Sequence, residues 1–123
     1  MRILILDDNA DALKVLESFL KALGHRVNCY TDATEALLWL GDVKPEVIIT
    51  DIEMPNMDGF AFVKNVRARS SCASMPIIAI TGTNATDQQI AAGGFTAVLR
   101  KPTTLEDVMT AIDEVTASTN PAN

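Results

Sequence analysis

Four short apolar runs in this 123-residue chain each end in residues able to handle a metal ion or a phosphate. Asp7 and Asp8 follow Ile3-Leu4-Ile5-Leu6, and Asp51 follows Val47-Ile48-Ile49-Thr50. Thr81 and Gly82 follow Ile77-Ile78-Ala79-Ile80, and Lys101-Pro102 follows Ala97-Val98-Leu99-Arg100. If these ends meet, three carboxylates face one ammonium, and negative charge is left in excess. Like charges at close range repel and raise carboxylate pKa values unless a cation offsets them. A hard divalent ion would bring such a site near neutrality. Magnesium suits it, because Mg2+ takes few carboxylates, several waters and a phosphate oxygen. No His or Cys stands at these ends, which argues against zinc. Beside the ion, Asp51 becomes a nucleophile toward phosphorus. Lys101 can hold a second phosphate oxygen as a point charge. The Thr81 hydroxyl and nearby N–H groups can take the third, and Gly82 leaves room for the approach. Such a site transfers a phosphoryl group by positioning and electrostatics.

Each member alone has an ordinary explanation. An Asp pair after a strand often caps a turn or helix. Thr81 could cap a following helix, and a lone Lys is usually a solvated charge. The weight lies in their convergence, which depends on the elements that carry them.

Those elements alternate in period. The four apolar runs suit strands buried on both faces of a parallel sheet. Arg26-Val27-Asn28-Cys29-Tyr30 alternates instead, as an edge strand buried on one face would. Between them, Leu13, Leu16, Leu20 and Leu23 fall at helical spacing, with Gly24 as the stop. Ala36, Leu37 and Leu40 follow a capping box of Asp32 and Glu35. Phe60, Val63 and Val66 continue the pattern after Asp58-Gly59. A short helix is predicted over residues 85–92, ended by Gly93-Gly94. A last helix carries Leu105, Val108, Met109, Ile112 and Val115 behind a second capping box of Thr103 and Glu106. Strand-helix alternation of this kind predicts a doubly wound α/β fold with a five-stranded parallel sheet and helices on both faces. Ligands in such folds sit beyond the carboxyl ends of the strands, where the strand order reverses. The acidic residues, Thr81 and Lys101 all follow strands, so they share that edge.

Bulk properties narrow the function. The length suits one domain over residues 1–117, with 118–123 a frayed tail or linker. Apolar residues make up 48%, enough for a core without disulfides or metal staples. A net charge of −6 argues against direct nucleic-acid binding. Cys29 and Cys72 lie in no CxxC pattern and read as reduced thiols. No run approaches the ~20 apolar residues of a membrane span, so no membrane partner and a cytoplasmic location are expected. His25, the single histidine, lies after Gly24, at the end of the sheet opposite the acidic cluster. The chain therefore has no histidine near its acidic cluster. Trp39 reads as packing, and Met54 and Met57 as loop packing or a partner surface.

The motifs LILDDN at 4–9, TDIEMPNMDG at 50–59, AITG at 79–82 and LRKP at 99–102 resemble, in order and spacing, the response-regulator receiver domains of two-component signalling. The likeness covers residues 2–117. It implies the flavodoxin-like strand order 2-1-3-4-5 and a switch phosphorylated on Asp51. Asp8 is then a direct Mg2+ ligand, Asp7 acts on the ion largely through water, and the Glu53 carbonyl is the remaining protein ligand. Thr81 takes the place of the switch hydroxyl and Lys101 of the phosphate-binding lysine, with a cis bond before Pro102. Glu53 and Thr83 fall at variable positions that tune loss of the phosphoryl group. The donor would be a histidine kinase or a histidine phosphotransfer protein. The output face would be the fourth helix, fifth strand and fifth helix, facing an output domain, a downstream protein or a second copy in a homodimer. Such a domain is not a conventional enzyme but catalyses its own phosphorylation and dephosphorylation. One departure stands out: Val98 occupies the position of the family's aromatic switch residue, and Phe95 is three residues too early to replace it.

Two other classes are compatible with parts of this pattern. A hydrolase forming an aspartyl-phosphate would place its nucleophile in an Asp-x-Asp motif after the first strand, where this chain has adjacent aspartates. A receiver-like module that ignores phosphate would fit the valine at position 98, but every acceptor residue is present.

Overall fold

The apolar runs become strands because each must bury side chains on both sides. In the computed structural model, which describes residues 1–117, β1 (Arg2–Leu6), β3 (Val47–Asp51) and β4 (Ile77–Thr81) form the middle of one sheet. The expected tail at 118–123 lies outside the described residues. The order is β2-β1-β3-β4-β5, all parallel, with β2 (Arg26–Tyr30) at one edge and β5 (Ala97–Arg100) at the other. The fold class and strand order are those expected.

Alternate residues of the central strands feed two separate cores, as a period of two requires. Ile3, Ile5, Val47, Ile49 and Ile78 pack against Leu13, Leu16 and Leu20 of α1 (Ala10–Ala22) and Val108, Ala111, Ile112 and Val115 of α5 (Leu105–Ala117). Leu4, Leu6, Ile48, Ile77 and Ala79 face the other way. They meet α2 (Ala33–Leu40), α3 (Gly59–Arg67) and α4 (Asp87–Ala92) through Ala36, Phe62, Val63, Val66 and Ile90. A sheet clamped from both sides holds its carboxyl ends fixed in relative position, which a site built on four strands needs.

Several local expectations are corrected. β5 was expected to be buried on both faces, yet Ala97, Val98 and Leu99 are half-buried, because β5 is the terminal strand with no neighbour beyond it. Leu23 is 47% exposed, since α1 ends at Ala22 and its stop, Gly24, turns away at φ +91°. In α3, Phe62 is fully buried while Phe60 is only partly so, packing edge-on against Phe95 at 5.7 Å. Asp32 caps α2 through the N–H of Thr34, not in a box with Glu35. α5 begins one residue later than expected, so its cap is Thr104, which accepts from the Asp107 N–H at 3.0 Å, rather than Thr103 with Glu106. A complete capping box stands instead at α4, between Thr86 and Gln89. Trp39 lies 6.2 Å from Tyr30, and Met54 and Met57 pack against the core. His25 sits at the amino-terminal edge of the sheet, its Nδ1 3.0 Å from the Met1 amine.

Candidate functional site

The order of the sheet reverses between β1 and β3, and the acidic residues stand there. Asp51 is the last residue of β3 and is 5% exposed. Asp7 and Asp8 leave β1 beside it, Asp7 half-buried and Asp8 exposed. Each of the three offers one carboxylate oxygen, and those atoms lie within 4.8 Å of one another.

Local chemistry sets each of these positions. The Asp7 Oδ1 accepts from the Asn9 N–H at 2.9 Å, and Asn9 in turn caps α1 through the N–H groups of Asp11 and Ala12. The chain therefore turns from β1 into α1 with both aspartates held at the sheet edge. Asp51 is fixed from two sides. Its Oδ1 accepts from the Glu53 N–H at 3.2 Å, and its Oδ2 from Lys101 Nζ at 2.8 Å. Behind it, α3 starts unusually close: the Gly59 N–H donates to the Ile52 carbonyl at 2.7 Å. A Cβ on Gly59 would stand 2.5 Å from the Asp51 carbonyl oxygen and 2.7 Å from Ile52 Cα. Asn56 turns the intervening loop at φ 70°, a conformation that Asn tolerates better than most residues.

Thr81 ends β4 and is fully buried, its Oγ1 accepting from the Thr83 N–H at 2.9 Å. Thr86, not Thr81, caps α4. Lys101 follows β5, its own N–H donating to the Thr81 carbonyl at 2.8 Å, and the Lys101–Pro102 bond is cis. Glu53 and Thr83 line an open cleft of about 600 Å³ beside Asp8, with Ile52, Met54, Pro55, Asp58 and Phe60. Val98 lies on β5 opposite Ala79, partly buried against the α2–α3–α4 core, and Phe95 is buried beneath Phe60. Asp7, Asp8, Asp51 and Lys101 thus come together, Thr81 adjoins Lys101 through the backbone, and Val98 stays in the strand's packing.

The electrostatics follow from this crowding. Burial lifts the Asp7 carboxyl above the ordinary aspartate range, opposed by the Asn9 N–H and reinforced by the charge of Asp51. The hydrogen bond to Asp51 is the main reason that the Lys101 ammonium is held above its usual pKa. Oxygen-only donors and surplus negative charge, only partly offset by Lys101, match a hard divalent cation such as Mg2+.

One contributor was not singled out from the sequence. Arg100, the residue before Lys101, donates to the Thr83 carbonyl at 3.0 Å, the Ala85 carbonyl at 2.6 Å and Asp87 Oδ1 at 2.7 Å. An Arg beside the lysine is the only sequence signal for it, and that signal is weak.

Comparison with known proteins points the same way. The sequence model of the family described as the response regulator receiver domain matches residues 3–113. The chain is 32% identical over 111 residues to the virulence transcriptional regulatory protein PhoP of Salmonella typhimurium, covering 89% of this chain and 49% of that protein. It therefore spans about half the length of the curated relatives that it matches. Among solved structures it resembles the chemotaxis response regulator CheY4 of Vibrio cholerae, with TM-score 0.87 and 32% identity over 93% of this chain and 97% of that one. It also shares its fold with the receiver domain of the sensor histidine kinase PA1611 from Pseudomonas aeruginosa PAO1, with TM-score 0.85 and 24% identity over 94% and 97%. That receiver domain has a magnesium ion coordinated in its active site cleft.

Proposed function

The chain belongs to the response regulator receiver domain family, and from that premise we propose that it is a phosphoacceptor switch whose acceptor is Asp51. The observation that carries the reading is the buried Asp51 carboxylate at the sheet's switch point, held by Lys101 and flanked by Asp7 and Asp8. Asp8, Asp51 and the Glu53 carbonyl would hold Mg2+ directly, and Asp7 would act largely through water. When bound, the ion supplies positive charge that lets two anions approach.

A carboxylate oxygen of Asp51 then attacks the phosphorus of a phosphohistidine on a histidine kinase or histidine phosphotransfer protein. The N–P bond breaks, its electron pair stays on the imidazole nitrogen, and an O–P bond forms on Asp51. Lys101 passes from the Asp51 Oδ2 to a phosphoryl oxygen, and the buried Thr81 hydroxyl donates to another. The acyl phosphate shifts an existing equilibrium between two conformations, read by an output domain or downstream protein on the α4–β5–α5 face, or by a second copy. The chain catalyses its own phosphorylation and dephosphorylation rather than turning over an external substrate. Glu53 and Thr83, at the mouth of the cleft, tune the second step. Among the described residues no helix is long and apolar enough to cross a membrane.

The test is labelling of the Mg2+-loaded protein with a small phosphodonor such as acetyl phosphate, read by intact-protein mass spectrometry. One phosphoryl group per chain is expected, and none in Asp51→Ala. Equal labelling of that variant would remove Asp51 from the acceptor role.

A further inference from the structure

The loop between β4 and α4 links the buried Thr81 to the first turn of α4, and the end of β5 grips it twice. The Lys101 N–H holds the Thr81 carbonyl at 2.8 Å. One residue earlier, the Arg100 guanidinium holds the Thr83 and Ala85 carbonyls and the Asp87 carboxylate. Thr83 in turn gives its N–H to Thr81 Oγ1 at 2.9 Å. A continuous chain of bonds therefore runs from the Thr81 hydroxyl, through Thr83, to Arg100 and then to α4.

We propose that Arg100 is a positioning residue that clasps the 82–86 loop and the first turn of α4 in the unphosphorylated arrangement. The clasp, rather than a ring at position 98, couples the acceptor site to α4 in this chain. The inference rests on Asp51 being the acceptor. A Thr81 side chain that rotates to carry its hydroxyl to a phosphoryl oxygen leaves the Thr83 N–H without its acceptor, and the loop that carries Thr83 must shift to find another. Arg100 resists that movement through two carbonyls on the same loop. The fork of the guanidinium suits this, since its rigid donors can serve separate acceptors at once, which a lysine ammonium does less well. The Asp87 arm is the weaker one, because that carboxylate is 79% exposed and surface ion pairs contribute little. At position 98 a valine packs against the same core as Ile90 and Ala85 but can swing no ring, whereas Arg100 ties the loop to the helix by directed hydrogen bonds.

The sign of the effect follows from population shift. A ligand that favours the moved loop binds more tightly when the resting loop loses its ties. Mg2+ with beryllofluoride, a phosphoryl stand-in, should bind Arg100→Gln about threefold to tenfold more tightly than the parent chain, by calorimetric titration. Arg100→Lys, which keeps the charge but loses the fork, should also bind more tightly, and Asp87→Asn slightly so. The amide resonances of residues 82–92 should shift toward their beryllofluoride-bound positions in Arg100→Gln before any ligand is added. General loss of stability would not tighten this binding. Unchanged or weaker affinity in both Arg100 variants, beside a responsive parent, would overturn the clasp and leave the Asp51 reading intact. Weaker binding in Arg100→Gln alone, with Arg100→Lys like the parent, would mean that Arg100 acts as a charge for the anion, which also overturns it. A parent chain that fails to bind beryllofluoride would overturn both readings.

Discussion

Lys101 Nζ stands 2.8 Å from Asp51 Oδ2, although β4 lies between the strands that carry them. The lysine side chain is 43% exposed and the aspartate side chain 6%, so a partly solvated cation covers a nearly buried anion. The pair holds the carboxylate in place, but the ammonium also competes with any cation that Asp51 is to bind. Lys101→Met should therefore raise Mg2+ affinity about threefold to tenfold, as expected from removing one unit charge a few ångströms away. Labelling by acetyl phosphate should slow by about tenfold or more, because a phosphoryl oxygen loses its partner. Calorimetry and a labelling time course read the two effects separately. Labelling as fast as the parent's would take Lys101 out of the transfer step.

Asp7 is the strained member of the acidic cluster. Its folded-state pKa is raised, chiefly by burial, so at pH 7 the charged carboxylate opposes folding. Asp7→Asn keeps an oxygen for the Asn9 N–H and removes the charge. Without divalent ions, its melting temperature should rise by about 1–3 °C, a small shift because the group is partly solvated. Added Mg2+ should stabilise the parent chain by mass action and the variant much less. Equal stabilisation of both by Mg2+ would show that Asp7 takes no part in holding the ion.

Gly59 sets how closely α3 approaches the end of β3. Any Cβ there meets backbone at 2.5 Å and 2.7 Å, where no flexible side chain can give way. Gly59→Ala should destabilise the domain by about 1–3 kcal/mol, the usual cost of overpacking. It should also slow Asp51 labelling, because the displaced atoms belong to Asp51 and Ile52 themselves. Urea unfolding at fixed Mg2+ gives the first quantity. Parent-like stability would mean that the helix can retreat without cost.

The Cys29 thiol on the edge strand is pushed up to about 12 by burial and by the neighbouring charge and hydrogen bond of Glu17. At pH 8 its thiolate population falls roughly a thousandfold below that of an ordinary cysteine of pKa ~8.5. Iodoacetamide should therefore label Cys29 very slowly at pH 8, about tenfold faster per unit as pH rises toward 11, and readily after unfolding. Peptide mapping separates it from the buried Cys72. Rapid labelling at pH 8 in the folded protein would mean that burial and Glu17 together do not keep this thiol protonated.

The residues themselves determined a great deal about this protein. Ile3 to Leu6, Val47 to Ile49 and Ile77 to Ile80 have no polar side on which to face water, so a sheet covered on both faces was legible before any coordinates. The acidic cluster was legible too, because each aspartate stands within two residues of the end of such a run and the fold brings strand ends together. Local sequence was less informative where several neighbouring residues have similar chemistry. Thr103 and Thr104 are equally good caps by type, and the start of α5 selected Thr104. Phe60 and Phe62 are equally apolar, and the facing of α3 decided which one became core. The half-burial of β5 depended on its being the terminal strand, which is a property of the sheet rather than of residues 97–100. Lys101 meeting Asp51 across an intervening strand, and Arg100 gripping a loop 15 and 17 positions earlier, were likewise decided by tertiary structure alone. Hydrophobic periodicity is written along the chain, whereas the distance between two side chains on different strands exists only once the sheet has its order, register and twist.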